Sequence, residues 1–178
     1  MNCEYTVSMS LKPQDLLIPL HLINNPEPQV TSLLAQQVGL SVGETHNSLK
    51  RCLQAKLLRF DQKYIPIKRS LEEFMIHGMK YAFYAELGEI TRGIPTAHAA
   101  PPLNQFFLDN GDLPPVWADV HGTARGYQLT PIYASIPKIS LINSTMYEWF
   151  ALLDALRIGQ VRERQMATEI IKSRLRQT

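Results

Sequence analysis

The chain has little cysteine and no long apolar run. These two shortages argue against a disulfide-rich protein and against a membrane protein. Its two cysteines, Cys3 and Cys52, do not have the spacing of a metal site, and we expect no disulfide. The longest apolar stretch, residues 16–23, is well short of the ~20 residues of a membrane span and contains Pro19 and His21. The first residues also lack the positive start and apolar block of a secretory signal. We therefore expect a cytoplasmic protein without a membrane segment.

The chain also has no large excess of positive or negative charge, because its formal net charge is only +2. This value alone does not indicate nucleic-acid binding, for which the placement of charges matters more. Between residues 50 and 69 a single acid, Asp61, stands among seven bases: Lys50, Arg51, Lys56, Arg59, Lys63, Lys68 and Arg69. Such a basic run is commonly a solvated surface. Whether it binds nucleic acid depends on the helices and strands in which the basic residues lie. With 45% apolar residues, the 178-residue chain can bury the core of one domain or of two small ones.

Two short helices are expected before residue 40. Pro13 suits a first turn, and the apolar spacing that follows predicts a helix ending before Pro26. Pro19 lies inside this helix and should bend it or move its start. Thr31 is the predicted N-cap of a second helix, which Gly39 closes at the position where glycine is favoured.

A third helix and a hairpin follow at once. Ser41 and Glu44 have the spacing of a capping box at the start of the helix. Its predicted inward positions are Thr45, Leu49 and Cys52. The predicted outward positions are Val42, Gly43, Glu44, His46, Asn47, Lys50 and Arg51. Residues 57–60 and 63–67, separated by a turn-forming pair, predict a two-stranded hairpin.

Residues 34–41, together with residues 49–51 and Leu57-Leu58, resemble the winged helix-turn-helix of bacterial regulators such as the MarR family. The resemblance covers roughly the first 70 residues. In that motif a small residue, here Ala35, lets two helices approach, and a glycine, here Gly39, makes the turn. The chain departs from the motif where Lys56 replaces the usual glycine before the wing. Further departures occur where aliphatic residues are common, at Thr45, Ser48 and Cys52.

The resemblance implies that the third helix enters the major groove of duplex DNA and that the hairpin is the wing. The implied DNA-binding residues are Ser41, Val42, Gly43, Glu44, His46, Asn47, Lys50 and Arg51 on the helix and Arg59 and Lys63 on the wing. His46 and Asn47 would read bases. The basic side chains would contact phosphates, guanine edges or the minor groove.

The rest of the chain predicts helices around an irregular segment. Ser70 with Glu73, and Thr145 with Glu148, have capping-box spacing at the starts of two further helices. Residues 86–141 hold seven of the twelve prolines and lose all periodicity, so we expect an ordered, extended segment packed on helices. The tail is helical with a narrow apolar stripe that suits either packing on the domain or a dimer partner. The stripe consists of Ala167, Ile171 and Leu175.

The irregular segment contains the remaining candidate functional residues. His98, Asp119 and His121 could supply three ligands to a metal, but hydrogen bonding in loops is the simpler interpretation. Arg92-Gly93 and Arg125-Gly126 each precede a proline-containing run. These repeats indicate a pair of similar turns or, in the functional alternative, two arginines that bind an acidic effector or the carboxylates of a partner protein.

The sequence thus predicts a mainly α protein with a small β-hairpin: a winged helix-turn-helix followed by an irregular Pro-rich segment and C-terminal helices. Residues 1–69 would be the DNA-binding domain, and residues 70–178 would serve dimerisation or partner binding. The predicted function is a homodimeric transcriptional regulator of duplex DNA, with no catalytic residues, metal or cofactor. The alternative is a protein-interaction or antitoxin-like subunit that uses the Pro-rich segment and the last helices.

Overall fold

The structure of the protein, a computed structural model, describes residues 10–107 and 111–177, so Cys3 lies outside the described residues. The fold is mainly helical, with a two-stranded hairpin and a second sheet of three strands. The helices are α1 (Leu17–Asn24), α2 (Thr31–Val38), α3 (Val42–Gln54), α4 (Lys68–Glu73), α5 (Met79–Ala82), α6 (Ile136–Ile142), α7 (Ser144–Ile158) and α8 (Val161–Gln177). The strands are β1 (Leu58–Asp61), β2 (Lys63–Pro66), β3 (Leu87–Pro95), β4 (Pro115–Ala118) and β5 (Ala124–Leu129).

Shorter helical segments join these elements. Three are 3-10 turns, Pro13–Leu16, Ala97–Ala99 and Leu103–Gln105, and the fourth is a π-helical segment, Phe74–Gly78, between α4 and α5. Because the first turn precedes α1, Pro19 occupies the third position of that helix, where a missing N–H costs little. None of the helices in the described part of the chain has the length and apolar composition to cross a membrane.

Helices α2 and α3 end in the same way, with a left-handed residue and two backbone hydrogen bonds back to the last turn. At the end of α2 the left-handed residue is Gly39, as predicted. Gly39 has a φ of 70° and donates to Gln36 O, while the amide of Leu40 donates to Ala35 O at 3.0 Å. At the end of α3 the left-handed residue is Lys56, with a φ of 57°, and the amide of Leu57 donates to Cys52 O. A lysine in this conformation is strained, since the left-handed region favours glycine.

Several predicted helix caps are wrong. Ser41 does cap α3, because its hydroxyl accepts from the amide of Glu44 at 3.2 Å. Thr31, in contrast, is the first residue of α2, and α4 begins at Lys68, before Ser70. Helix α7 is capped by Asn143 instead of Thr145. The asparagine side chain accepts from the amide of Met146 at 3.0 Å, which satisfies a first-turn donor.

The hairpin lies where it was predicted, although Asp61 belongs to the first strand and not to the turn. Strands β1 and β2 are antiparallel, with Leu58 opposite Pro66 and Asp61 opposite Lys63. Gln62 forms the tip with a φ of 58°. Pro66 lies on an edge strand, as its missing N–H requires.

Strands β3, β4 and β5 close into a ring, and each strand pairs with both of the others. The β3–β4 and β3–β5 pairs are antiparallel, while β4–β5 is parallel.

The expectation of an irregular segment over residues 86–141 is therefore wrong in part. The Arg-Gly repeats lie within β3 and β5, so they are not a pair of similar turns. Their glycines permit close packing, since a Cβ on Gly126 would lie 1.9 Å from Pro114 O.

One buried apolar cluster extends through the fold, with members from Leu16 to Leu175. Helix α7 lies at its centre and contacts α1, α6, α8 and the 3-10 turn after β3. The apolar stripe of α8 packs inside the chain, which is the first of the two alternatives above. Its residues Ala167, Ile171 and Leu175 are all buried.

Candidate nucleic-acid interface

One face of α3 is exposed and largely polar. Five of its predicted outward residues are exposed: Val42, Gly43, His46, Asn47 and Lys50. Spacings of three and four residues place most of them side by side along the helix. The opposite face is fully buried at Thr45 and Cys52, as the sequence predicts, and the burial of Ser48 was not predicted. The helix is therefore fixed to the core on one side and open on the other.

Gly43 lies on the exposed face of α3, and no contact within the described structure requires a glycine there. A Cβ at this position would have no neighbour within 4 Å. Glycine within a helix costs about 0.5–1 kcal/mol relative to alanine, with the lower end applying near a terminus. Packing inside the protein therefore does not explain the residue, and its small size leaves the first turn of α3 open to close approach.

The prediction that Arg51 lies on this exposed face is wrong. Its side chain is 2% exposed and donates from Nε and Nη2 to the carboxylate of Asp15 at 2.7 and 2.6 Å. The same Nη2 donates to Glu44 Oε1 at 2.5 Å. The hydrogen bond to Asp15 raises the pKa of Arg51 above its ordinary value. Arg51 therefore joins α3 to the turn before α1 and is not available to a ligand.

Glu44 is the third member of this ion cluster. Its carboxylate accepts from Arg51 and from Gln14 Nε2, the latter at 3.0 Å, so it faces the cluster and not the amide of Ser41. Burial acts to raise the pKa of Glu44, but the hydrogen bonds from Arg51 and Gln14 outweigh it and lower the pKa. The carboxylate stays ionised and partly neutralised, which limits its repulsion of an anion at the exposed face.

The two basic residues predicted on the hairpin have different roles. The side chain of Arg59 is 59% exposed and lies 3.8 Å from the carboxylate of Asp61, which is also exposed, so this ion pair contributes little to stability. Lys63 donates from Nζ to Pro26 O at 2.8 Å and so holds the loop between α1 and α2. Phe60, 60% exposed, packs its ring edge against Tyr64. The hairpin thus presents Arg59 and Phe60 to solvent.

The possible metal ligands do not come together. Among the described residues there is no group of three or more His, Cys, Asp or Glu side chains placed to hold a metal. His98 lies 3.3 Å from the carboxylate of Glu163, while Asp119 accepts from the backbone amide of His121 at 2.8 Å. The Asp119 hydrogen bond matches the simpler interpretation of hydrogen bonding in loops, whereas His98 contacts the first turn of α8.

A buried junction that the sequence analysis missed is centred on Asp154 in α7. Its carboxylate accepts from Thr96 Oγ1 at 2.8 Å, from Trp117 Nε1 at 2.7 Å and from Arg157 at 2.6 Å. Complete burial raises the pKa of Asp154, and Arg157 opposes that shift. The available signal was an acid within an apolar run, Leu152 to Leu156. The junction fixes the ring of strands against α7.

A cleft of about 850 Å³ lies between the ring, the 3-10 turns and the start of α8. Its lining includes Leu87, Phe107, Tyr127 and the contacting side chains of His98 and Glu163. The two arginines that the sequence singled out, Arg92 and Arg125, lie on the nearby strands β3 and β5.

Comparisons of the chain with protein-family models, with curated proteins and with solved structures gave no match. The exposed face of α3 and the hairpin beside it are the best-defined candidate surface.

Proposed function

We propose that the protein is a DNA-binding transcriptional regulator of the winged helix-turn-helix type, similar to the MarR family. Helix α3 would be the recognition helix and the β1–β2 hairpin the wing. The observation that carries the proposal is the exposed face of α3, where His46, Asn47 and Lys50 project from a helix whose other side is fully buried. Gly39 and Ser41 provide the turn and the cap that such a motif requires.

Each exposed residue has a role in the proposed complex. Asn47 can make the two hydrogen bonds that recognise adenine, and His46 lies beside it to contact a neighbouring base. Lys50 and Arg59 would contact phosphates or base edges from the helix and the hairpin. Gly43 would let the first turn of α3 approach the DNA, which accounts for a glycine that no internal contact requires.

Two of the residues first assigned to DNA contact would act indirectly. Arg51 orients α3 through Asp15, and Lys63 holds the loop between the first two helices. Lys56 adds support to the resemblance, because its left-handed conformation occurs where the family has glycine before the wing. A cytoplasmic location and a homodimer belong to the same proposal, since two copies would contact two half-sites.

The proposal is tested with fluorescent duplex DNA taken from upstream of the gene, against a scrambled duplex, over a series of salt concentrations. We expect preferential binding to the upstream DNA that weakens as salt rises. Asn47→Ala/Lys50→Ala should weaken binding about tenfold or more and reduce the salt slope by about one. The control is Lys138→Ala, because Lys138 is also exposed but lies on α6.

Gly43→Ala provides a sharper test, because its two expected effects have opposite signs. Alanine should leave the free energy of unfolding unchanged or raise it by about 0.5 kcal/mol, yet weaken DNA binding. No binding of either duplex at low salt, or full affinity in both variants, would contradict the proposal. The interaction-protein alternative would then be favoured.

A further inference from the structure

The basic residues of the ring region are few and lie together. Between Lys80 and Lys138 the sequence has five acids but only two lysines or arginines, which are Arg92 and Arg125. These two are direct partners across the antiparallel β3–β5 pair. Directly opposed residues project to the same face of a sheet, with Cβ atoms about 4.5–5.5 Å apart. We call this pair the arginine rung.

Both side chains of the arginine rung are exposed, and within the described residues neither forms an ion pair within 4.0 Å. Glu89 lies in the irregular part of β3, between the paired residues Leu87 and Ile90, and forms no ion pair with either arginine. The Asp119 carboxylate accepts from a backbone amide instead. Since like charges directly opposed destabilise a sheet, an external anion bound here would relieve a cost present in the free protein.

The next rung on the same face is apolar. Ile90 and Tyr127 are partners two residues along the two strands, and they are 45% and 40% exposed. We call this pair the apolar rung. Tyr127 also lines the cleft of about 850 Å³. Exposed aliphatic and aromatic side chains beside a pair of arginines are typical of protein interfaces, in which arginine and tyrosine are enriched.

The chemistry favours an acidic protein segment over nucleic acid. Glu89 on β3 and Asp119, whose amide donates to Arg92 O, would repel a polyanion with a continuous phosphate backbone. A carboxylate, in contrast, can be held by two guanidinium groups, and an apolar side chain can cover the neighbouring rung. Because rungs on one face are about 6.5–7 Å apart, an extended segment with an acid and an apolar residue two positions apart matches both.

We propose that the arginine rung and the apolar rung form a docking surface for such an acidic segment of a partner protein. The carboxylate binds Arg92 and Arg125, and the apolar side chain two residues away covers Ile90 and Tyr127. This surface is separate from α3 and goes beyond the proposed DNA binding.

The test uses the full chain and a fluorescein-labelled nonapeptide, Ser-Glu-Ser-Leu-Ser-Glu-Ser-Leu-Ser, with fluorescence anisotropy as readout. We expect binding that weakens about tenfold or more in Arg92→Gln/Arg125→Gln. The matched control is Lys138→Gln/Arg176→Gln, which removes the same charge from exposed positions elsewhere and should bind as the parent does. Peptides with Gln in place of Glu, or Ser in place of Leu, should also bind more weakly.

The same variants are measured for duplex DNA binding and for the retention of their circular dichroism spectrum. Failure of the peptide to bind at up to about 1 mM, or equal binding by Arg92→Gln/Arg125→Gln, would overturn the docking surface. A loss of DNA affinity in place of peptide affinity would overturn it too and would assign the arginines to nucleic acid. Asn47→Ala/Lys50→Ala should leave peptide binding unchanged, which separates this inference from the proposed function.

Discussion

Replacing Arg51 with alanine tests the buried ion cluster that joins α3 to the turn before α1. The substitution removes two hydrogen bonds to Asp15 and one to Glu44. Asp15, which is 1% exposed, then keeps its bond from the amide of Lys12 but loses its counter-ion. The free energy of unfolding should fall by about 3–5 kcal/mol, the cost of leaving a buried charge unpaired. That loss is a large part of the roughly 5–15 kcal/mol that stabilises a typical domain.

The assay is equilibrium unfolding in urea, followed by far-UV circular dichroism. Lys50→Ala is the matched control, because Lys50 is the exposed neighbour on the same helix and its loss should change stability by no more than about 0.5 kcal/mol. Asp15→Asn/Arg51→Met removes both charges and keeps most of the volume. It should recover much of the stability lost in Arg51→Ala, since the buried Asp15 charge is gone and the remaining Glu44 carboxylate is partly exposed and still accepts from Gln14.

Lys50→Ala and Arg51→Ala should also differ in how they affect DNA binding. Arg51→Ala should reduce DNA binding through its unfolded fraction and through the loss of the contacts that orient α3, whereas Lys50→Ala should reduce it with stability unchanged. A loss of less than about 1 kcal/mol in Arg51→Ala, or no recovery in the double variant, would refute the cluster as the anchor of α3.

Two further predictions concern single residues of the same helix region. Lys56→Gly should raise the free energy of unfolding by about 1 kcal/mol and raise Tm, because glycine adopts the left-handed conformation at the end of α3 without strain; an unchanged or lower Tm would contradict this. Burial raises the pKa of the Cys52 thiol to about 12. In a Cys3→Ser variant the folded protein should therefore not react with DTNB at pH 8, and stability should fall above about pH 9, where the unfolded thiol ionises. Reaction without denaturant would count against the buried thiol.

The elements that the sequence predicted correctly are those specified by neighbouring residues. Gly39 ends α2 through a left-handed conformation, and Ser41 caps the next helix through an amide three residues away. The hairpin follows from two short β-forming runs around a turn. Each of these signals lies within a few residues of the structure it specifies, so a pattern in the chain is enough to find it.

The features that the sequence did not reveal depend on residues far apart in the chain. Arg51 has the spacing of an exposed residue, but Asp15, 36 positions earlier, provides a buried partner. Strands β4 and β5 are short, all three strands of the ring contain glycine or proline, and each strand pairs with segments distant in the chain. Arg92 and Arg125 were recognised as a repeat, but only the strand register makes them neighbours.

The Asp154 junction has a consequence for the order in which the chain can fold. Its two donors from the ring, Thr96 and Trp117, precede it by 58 and 37 residues. During synthesis both donors emerge before their acceptor, so burying them earlier would leave an indole N–H and a hydroxyl without a partner. We therefore expect the ring to become stable only when α7 has been made, so that β3 to α7 fold as one cooperative unit. A nascent chain that stops before Asp154 would carry the exposed strands of an unfinished sheet.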